Sequence, residues 1–385
     1  MSNALPFRLP APVDGPVDLL VVAAEHSGDQ HAARMVRGVV ARDPDVKVTA
    51  LGGPALAASG AQLLQDLTVN AAMGFAVFGR LSFYRALIAE VVRWVGEYQP
   101  RAVCFVDSSG LNLRIARQLF DRGFSRKAGG PTKALYYISP QIWASRAKRR
   151  FQMAAHLDGL ASIFPFEREA YADTDLPVEF VGHPFVAEDY EAPVKYDSEG
   201  PVLLLPGSRK ALVKRVFPIL LAAHAAAQAG RPAVVLYPSE EILTVLNEVG
   251  PPTDIRLINT STLAEPIGAS AVLTTSGTMS MHCALAGIPG AVTYRTDPLT
   301  YWLGRWLVKV EYLGIANLLL KRVMYPEYIQ QSATPAALAS ELNTAAHDPS
   351  RLEQTQQDCQ RLRQMLAAPA EQSAVDWMIG QLERS

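Results

Sequence analysis

The sequence predicts an α/β protein built as two doubly wound halves facing across a cleft, and three observations carry that expectation. Short apolar runs alternate along the chain with helix-patterned segments, the signature of parallel sheets joined by crossover helices. Most of these runs are unalternated, as in strands covered on both faces. The scheme then occurs a second time after a largely polar stretch, residues 186–200, that reads as a linker (Glu188, Asp189, Glu191, Lys195, Asp197, Glu199).

In chain order, the first half offers strands at 18–24, 46–52, 102–107, 134–139, 160–164 and 178–182, with helical patterns such as 31–41 and 83–98 between them. The second half offers strands at 202–205, 233–237, 255–258, 271–275 and 291–294. The expected division is a first domain over 1–185, a second over 186–345, and a helical tail rich in Gln, Leu and Ala over 346–385. Ligands of such sheets sit at the carboxyl ends of strands.

Two strand ends in the second half are suited to anions. Leu203-Leu204-Leu205 runs into Pro206-Gly207-Ser208-Arg209 and a helical segment, and 271–274 runs into Ser276-Gly277-Thr278 and another. A helix that starts at such a turn presents unpaired N–H groups and the positive end of its dipole. Arg209 adds a planar fork of donors for a second phosphate. Two such turns suggest a nucleoside diphosphate held between them; the plain alternative is two ordinary strand-to-helix turns.

Composition narrows the class. The chain has 385 residues, 49% hydrophobic and 19% charged, enough to bury two cores. A formal net charge of −1 argues against general nucleic-acid binding, which needs a basic excess. Cys104, Cys283 and Cys359 form no CxxC pair and suit a reducing cytoplasm. Residues 1–16 are Pro-rich without the apolar run of a signal peptide, and no stretch approaches the ~20 apolar residues needed to span a bilayer. No GxxxxGK[ST], HExxH or GxSxG motif occurs, so ATP-dependent phosphoryl transfer, a zinc site of that kind and a common serine hydrolase are not expected. Metal-free chemistry on a nucleotide-linked substrate remains.

Asp107 ends the apolar run 102–106, where partial desolvation would favour a general base; it could equally cap the following helix with Ser108 and Ser109. Glu25-His26-Ser27-Gly28-Asp29 follows the first strand and opens a helix, as a hydroxyl-binding turn or a capped start. From Tyr294 to Tyr328 aromatics (Tyr301, Trp302, Trp306, Tyr312, Tyr325) interleave with cations (Arg295, Arg305, Lys309, Lys321, Arg322), and the 73–81 stretch is an apolar loop containing Arg80. Such mixtures suit a lipid headgroup layer. They also suit a packed core with solvated cations.

Taken together, the motifs resemble a known family. Glu25-His26-Ser27-Gly28-Asp29, Met73-Gly74, Val106-Asp107 with Asn112, and Tyr137-Ile138-Ser139-Pro140-Gln141-Ile142-Trp143-Ala144 come first. Phe164-Pro165-Phe166-Glu167, Val181-Gly182-His183-Pro184, Leu205-Pro206-Gly207-Ser208-Arg209, Thr275-Ser276-Gly277-Thr278, Tyr294-Arg295 and Asn317-Leu318-Leu319 follow. This is the order seen in lipid-A-disaccharide synthases, over about residues 18–365. The resemblance implies two Rossmann-like domains of the GT-B type. It implies an inverting transfer from UDP-diacylglucosamine to diacylglucosamine 1-phosphate, giving a β-1,6 disaccharide and UDP at the cytoplasmic face of the inner membrane of Gram-negative bacteria. No metal is expected, the anionic membrane surface is a partner, and the oligomeric state is left open.

By the same resemblance Asp107 is the base for the acceptor hydroxyl, with Glu25 also in the catalytic group. Gly207, Ser208, Arg209, Ser276, Gly277, Thr278, His282 and Asn317 would line the UDP site, and Ser27, Asp29, Met73 and Asn112 the acceptor side. The chain departs from the family at His282, where Glu is usual, and at His26, Ala316 and Ser108-Ser109-Gly110. A UDP-N-acetylglucosamine epimerase and a catalytically silent nucleotide-sugar-binding paralogue are the alternatives.

Overall fold

The strand runs LLVVA, AVCFV and KALYY have no exposed residue, so their burial, not alternation, selects the parallel sheet they form. The computed structural model describes residues 7–68, 77–143, 146–227, 230–297 and 311–383. These divide into two compact units, one of 1–184 with 368–385 and one of 185–367.

The first unit holds a seven-stranded sheet of β1 (Leu19–Ala23), β2 (Val48–Gly52), β3 (Gln62–Asp66), β4 (Ala102–Val106), β5 (Lys133–Tyr137), β6 (Gly159–Ser162) and β7 (Val178–Phe180). Its spatial order is β3-β2-β1-β4-β5-β6-β7, every pair parallel, with Leu19 opposite Val48 on one side and Ala102 on the other. The order reverses between β1 and β4, so the loops leaving those two strands diverge and open a crevice. Beneath it the core is built on Phe105, Tyr136, Leu87 and the fully buried Trp94, whose Nε1 donates to Pro10 O at 2.9 Å. The edge strand β3, with its two glutamines and an aspartate, has no apolar run to betray it.

The second unit repeats the device. Strands β9 (Val202–Leu205), β10 (Ala233–Tyr237), β11 (Arg256–Asn259), β13 (Ala271–Thr274), β14 (Gly290–Tyr294) and β15 (Glu327–Ile329) form a parallel sheet in the order β11-β10-β9-β13-β14-β15. Its switch point lies between β9 and β13. The stretch read as a linker contains β8 (Val194–Tyr196), which pairs in parallel with β12 (Ile267–Ala269). Only Val194 of β8 is buried, too short a signal to see beforehand.

The tail is not one separate element. The helix Pro349–Leu366 belongs to the second unit, where Cys359 Sγ and Arg363 Nε both donate to Leu285 O. The helix Ala374–Glu383 returns to the first, with Asp376 paired to Arg42 and Val375 filling the space beside Gly38. Gly182 has φ +80, and a Cβ there would come within 2.6 Å of the Ala368 backbone, so this position in the Gly-His-Pro motif admits nothing larger.

Candidate active site

In the first unit, β1 and β4 deliver the two loops that line a cavity of about 830 Å³ at the switch point; Glu25, Ser27, Tyr84, Asp107, Ser109 and Arg114 are among its walls. That volume is in the range of small-ligand sites. Asp107 and Ser108 both adopt left-handed backbone conformations, φ 51° and 40°. Consecutive non-glycine residues held this way cost on the order of 1–3 kcal/mol each and persist only where neighbours enforce them.

The enforcing bonds are present. Asn112 Nδ2 donates to Val106 O (3.1 Å) and to Asp107 O (2.9 Å), the Tyr136 hydroxyl donates to Asp107 O, and Asp107 N–H donates to Tyr137 O at 3.3 Å. Asn112, expected on the acceptor side, is fully buried, and its Nδ2 braces Asp107. Ser108 occupies the N-cap position of the helix Ser109–Asp121 but makes no capping bond; its hydroxyl donates to Glu25 Oε1 at 3.0 Å. Burial raises the Asp107 carboxyl above its ordinary pKa, the nearby Glu25 charge raises it further, and the Ser108 N–H pulls it partly back. The result is a carboxyl in a strained, half-desolvated position beside a second carboxylate.

Ser27 is exposed on the first turn of the helix His26–Arg42, within the cavity wall. Asp29 does not join it. It is fully buried and accepts from the N–H groups of Gly53 (2.7 Å), Ala55 (3.0 Å) and Leu56 (3.2 Å), pinning the turn after β2, so the expected acceptor contact is corrected to a structural one. Met73 and Gly74, with the rest of 73–76, lie outside the described residues, and Val77 onward opens the helix Val77–Tyr98 where a loop was expected.

The remaining motifs of this unit gather past β5, β6 and β7. Trp143 and Phe166 meet edge to face at 5.1 Å, and Phe164 lies 5.2 Å from the His183 ring. Glu167 is buried beneath them, accepting from Ile163 N–H, Phe164 N–H and Trp143 Nε1, and burial pushes its pKa up to about 7. This cluster braces the carboxyl edge of the sheet.

In the second unit the two anion-suited turns stand side by side. Thr275 N–H donates to Leu205 O at 3.0 Å. Gly207 has φ +102, and a Cβ there would approach Thr275 Oγ1 to 2.9 Å, so only glycine lets the turns meet this closely. Ser208 and Arg209 are exposed at the start of the helix Lys210–Ala226, and Gly277 and Thr278 at the start of the helix Thr278–Leu285. Ser276 is half-buried, its Oγ donating to Leu313 O at 2.8 Å.

Two residues expected at the nucleotide are buried and bonded within the protein. His282 is buried, 4.0 Å from the Phe185 ring and parallel to Tyr190, whose hydroxyl lies 3.3 Å from Nε2. Asn317 is also fully buried: Nδ2 donates to Tyr325 O and Glu327 Oε1, and Oδ1 accepts from Met324 and Tyr325 N–H. Glu327, invisible to motif reading, accepts from Leu313 and Gly314 N–H as well, and so fixes the loop whose carbonyl holds Ser276.

Part of the aromatic–cationic stretch is core. Tyr325 is buried with its hydroxyl on Ile288 O, Tyr328 bonds Glu341, and Arg322 pairs with the buried Asp358. Tyr301, Trp302, Arg305, Trp306 and Lys309 lie outside the described residues.

Among solved structures, the glycotransferase of kitacinnamycin superposes with a TM-score of 0.58 at 14% identity, covering 95% of this chain and 99% of that one. Anabaena HepE, in complex with UDP and glucose, gives 0.51 at 12% identity over 95% and 99%. Two doubly wound parallel units of this kind make the fold that of the GT-B glycosyltransferases. A family profile described as Lipid-A-disaccharide synthetase matches residues 19–378. A lipid-A-disaccharide synthase of Nitrosococcus oceani is 31% identical over 381 residues, 94% of this chain and 96% of that one. The chain belongs to the lipid-A-disaccharide synthetase family, and with it is a glycosyltransferase of lipid A biosynthesis.

Proposed function

We propose that the protein transfers the diacylglucosaminyl group of UDP-2,3-diacylglucosamine to the 6-hydroxyl of 2,3-diacylglucosamine 1-phosphate, with inversion, giving the β-1,6 disaccharide and UDP. The observation that carries this reading is Asp107, held in a strained turn at the switch-point cavity with its pKa raised. In the reaction the acceptor oxygen forms its bond to the donor's anomeric carbon as the bond from that carbon to the diphosphate breaks. The hydroxyl proton passes to Asp107. Charge developing on the leaving UDP meets the N–H groups of the Gly207–Arg209 and Ser276–Thr278 turns and the Arg209 guanidinium, with no metal required. A UDP donor agrees with HepE, a protein of the same fold, in complex with UDP and glucose.

Both proposed substrates carry acyl chains, so the reaction is placed at the cytoplasmic surface of the inner membrane. No described helix is long and apolar enough to cross a membrane. The test is mass spectrometry of products formed from the two acylated glucosamines, with the new linkage assigned by NMR. Disaccharide with a β-1,6 bond supports the reading; UDP release without disaccharide, or an α linkage, defeats it.

Arg209 is exposed and without an ion pair among the described residues, open to a phosphate. Arg209→Ala is expected to weaken UDP binding by about 1.5–3 kcal/mol, and Arg209→Lys to restore only part of it, since the ammonium lacks the fork. Unchanged UDP affinity of the Ala variant in calorimetry would remove the contact.

A further inference from the structure

At the cavity of the first unit, one lining cation and one bonded to a lining residue have no ion pair among the described residues. Arg114 is part of its wall, on the helix that starts at Ser109. Arg149 opens the helix Arg149–His156, which packs on the helix Ser109–Asp121, and its Nη1 donates to the Oγ of the wall residue Ser109 at 3.1 Å. Its charge also reaches the Tyr136 hydroxyl, the group that holds Asp107 O. Neither Arg114 nor Arg149 has an ion pair among the described residues, and the same holds for Arg146 and Lys148 just before the second helix. Their neighbours differ: Arg150 forks onto Asp173 at 2.6 Å through both Nε and Nη2, and Arg117 pairs with Asp121.

A guanidinium tethered by one N–H to a serine keeps its other donors in a fixed plane, the arrangement that suits an oxyanion. Glu25 and Asp107 line the same cavity. A ligand anionic throughout would be repelled there, and a neutral one would leave the arginines without a counter-charge. A ligand with a hydroxyl at one end and a phosphate at the other matches both.

We propose that Arg114 and Arg149, with Ser109, form an anion subsite that takes a phosphomonoester on the acceptor while the acceptor's hydroxyl end meets Asp107. This rests on reading the cavity as the acceptor's. The subsite orients the acceptor by its charge and discriminates against sugars that lack the phosphate.

The test is calorimetric titration of the full chain with a short-chain diacylglucosamine 1-phosphate and with the same sugar lacking the phosphate. Wild type is expected to bind the phosphorylated probe at least about tenfold more tightly. Arg114→Ala/Arg149→Ala should lose roughly 10–100-fold for that probe only, with UDP affinity and melting temperature unchanged. Arg149→Lys should keep part of the preference, and it carries the test if the double variant does not fold. Equal affinity of wild type for the two probes, or equal losses for both in the variant, overturns the proposal. So does a variant that loses only its binding to phosphatidylglycerol vesicles, because the cations then serve a lipid surface. Binding is read without turnover. Discrimination without disaccharide formation would keep the subsite and defeat the transfer reaction, and the reverse would defeat the subsite alone.

Discussion

Asp107→Asn is expected to lower turnover by roughly 10²–10⁴-fold, the usual loss when a general base is removed, while UDP binding stays intact. Asn has the same shape and tolerates the left-handed backbone as well as Asp does, so the turn enforced by Asn112 and Tyr136 should survive. The pH dependence carries a sign. Burial and the Glu25 charge make the folded protein hold the Asp107 proton more tightly than the unfolded chain does. Between the ordinary Asp pKa and the raised one, the folded state binds more protons, so wild-type stability falls as pH rises through that interval. The Asn variant lacks this loss and should melt higher than wild type at neutral pH and show no such advantage below the interval. Turnover of wild type should rise over the same interval, as the base deprotonates. Glu25→Gln should move that limb to lower pH, by removing the like charge. Near-normal turnover of Asp107→Asn would reduce this carboxylate to a structural element.

Asn317→Ala is expected to destabilise the protein by about 3–5 kcal/mol in urea denaturation. It strands the N–H groups of Met324 and Tyr325 and the carbonyl of Tyr325 in a fully buried place, and each orphan costs about 1–3 kcal/mol. Asn317→Asp should be no rescue. The carboxylate can accept from the two N–H groups, but it cannot donate to Tyr325 O and it faces the Glu327 carboxylate. UDP affinity should fall in parallel with stability, because Glu327 also holds the Leu313–Gly314 loop on which Ser276 rests. Weakened UDP binding at wild-type stability would instead put Asn317 against the nucleotide.

These two residues illustrate what a motif says and what it leaves out. Asp107, Gly207, Ser208 and Arg209 follow directly on buried apolar strands, and topology carries the end of such a strand to the sheet's carboxyl edge, so their position was readable. Asp29, Asn112, His282 and Asn317 came to the site through the family resemblance instead, and all four are buried. Each is a polar residue in a motif beside the site, yet its bonds go to the chain's own groups: Gly53 for Asp29, Val106 for Asn112, Tyr190 for His282, Tyr325 for Asn317.

The sequence by itself determined the alternation of buried strands and helices, the two glycine turns after β9 and β13, and the carboxylate that ends β4. All of these rest on local properties: apolar runs, a positive φ, a polar residue at the end of a strand. The tertiary structure alone decided which switch-point loops meet, how the tail is shared, and which motif residues face a cavity. A polar side chain can satisfy itself on a ligand or on buried backbone. Which it does depends on partners as far as 92 positions away in the chain, brought into reach only by the folding of each unit.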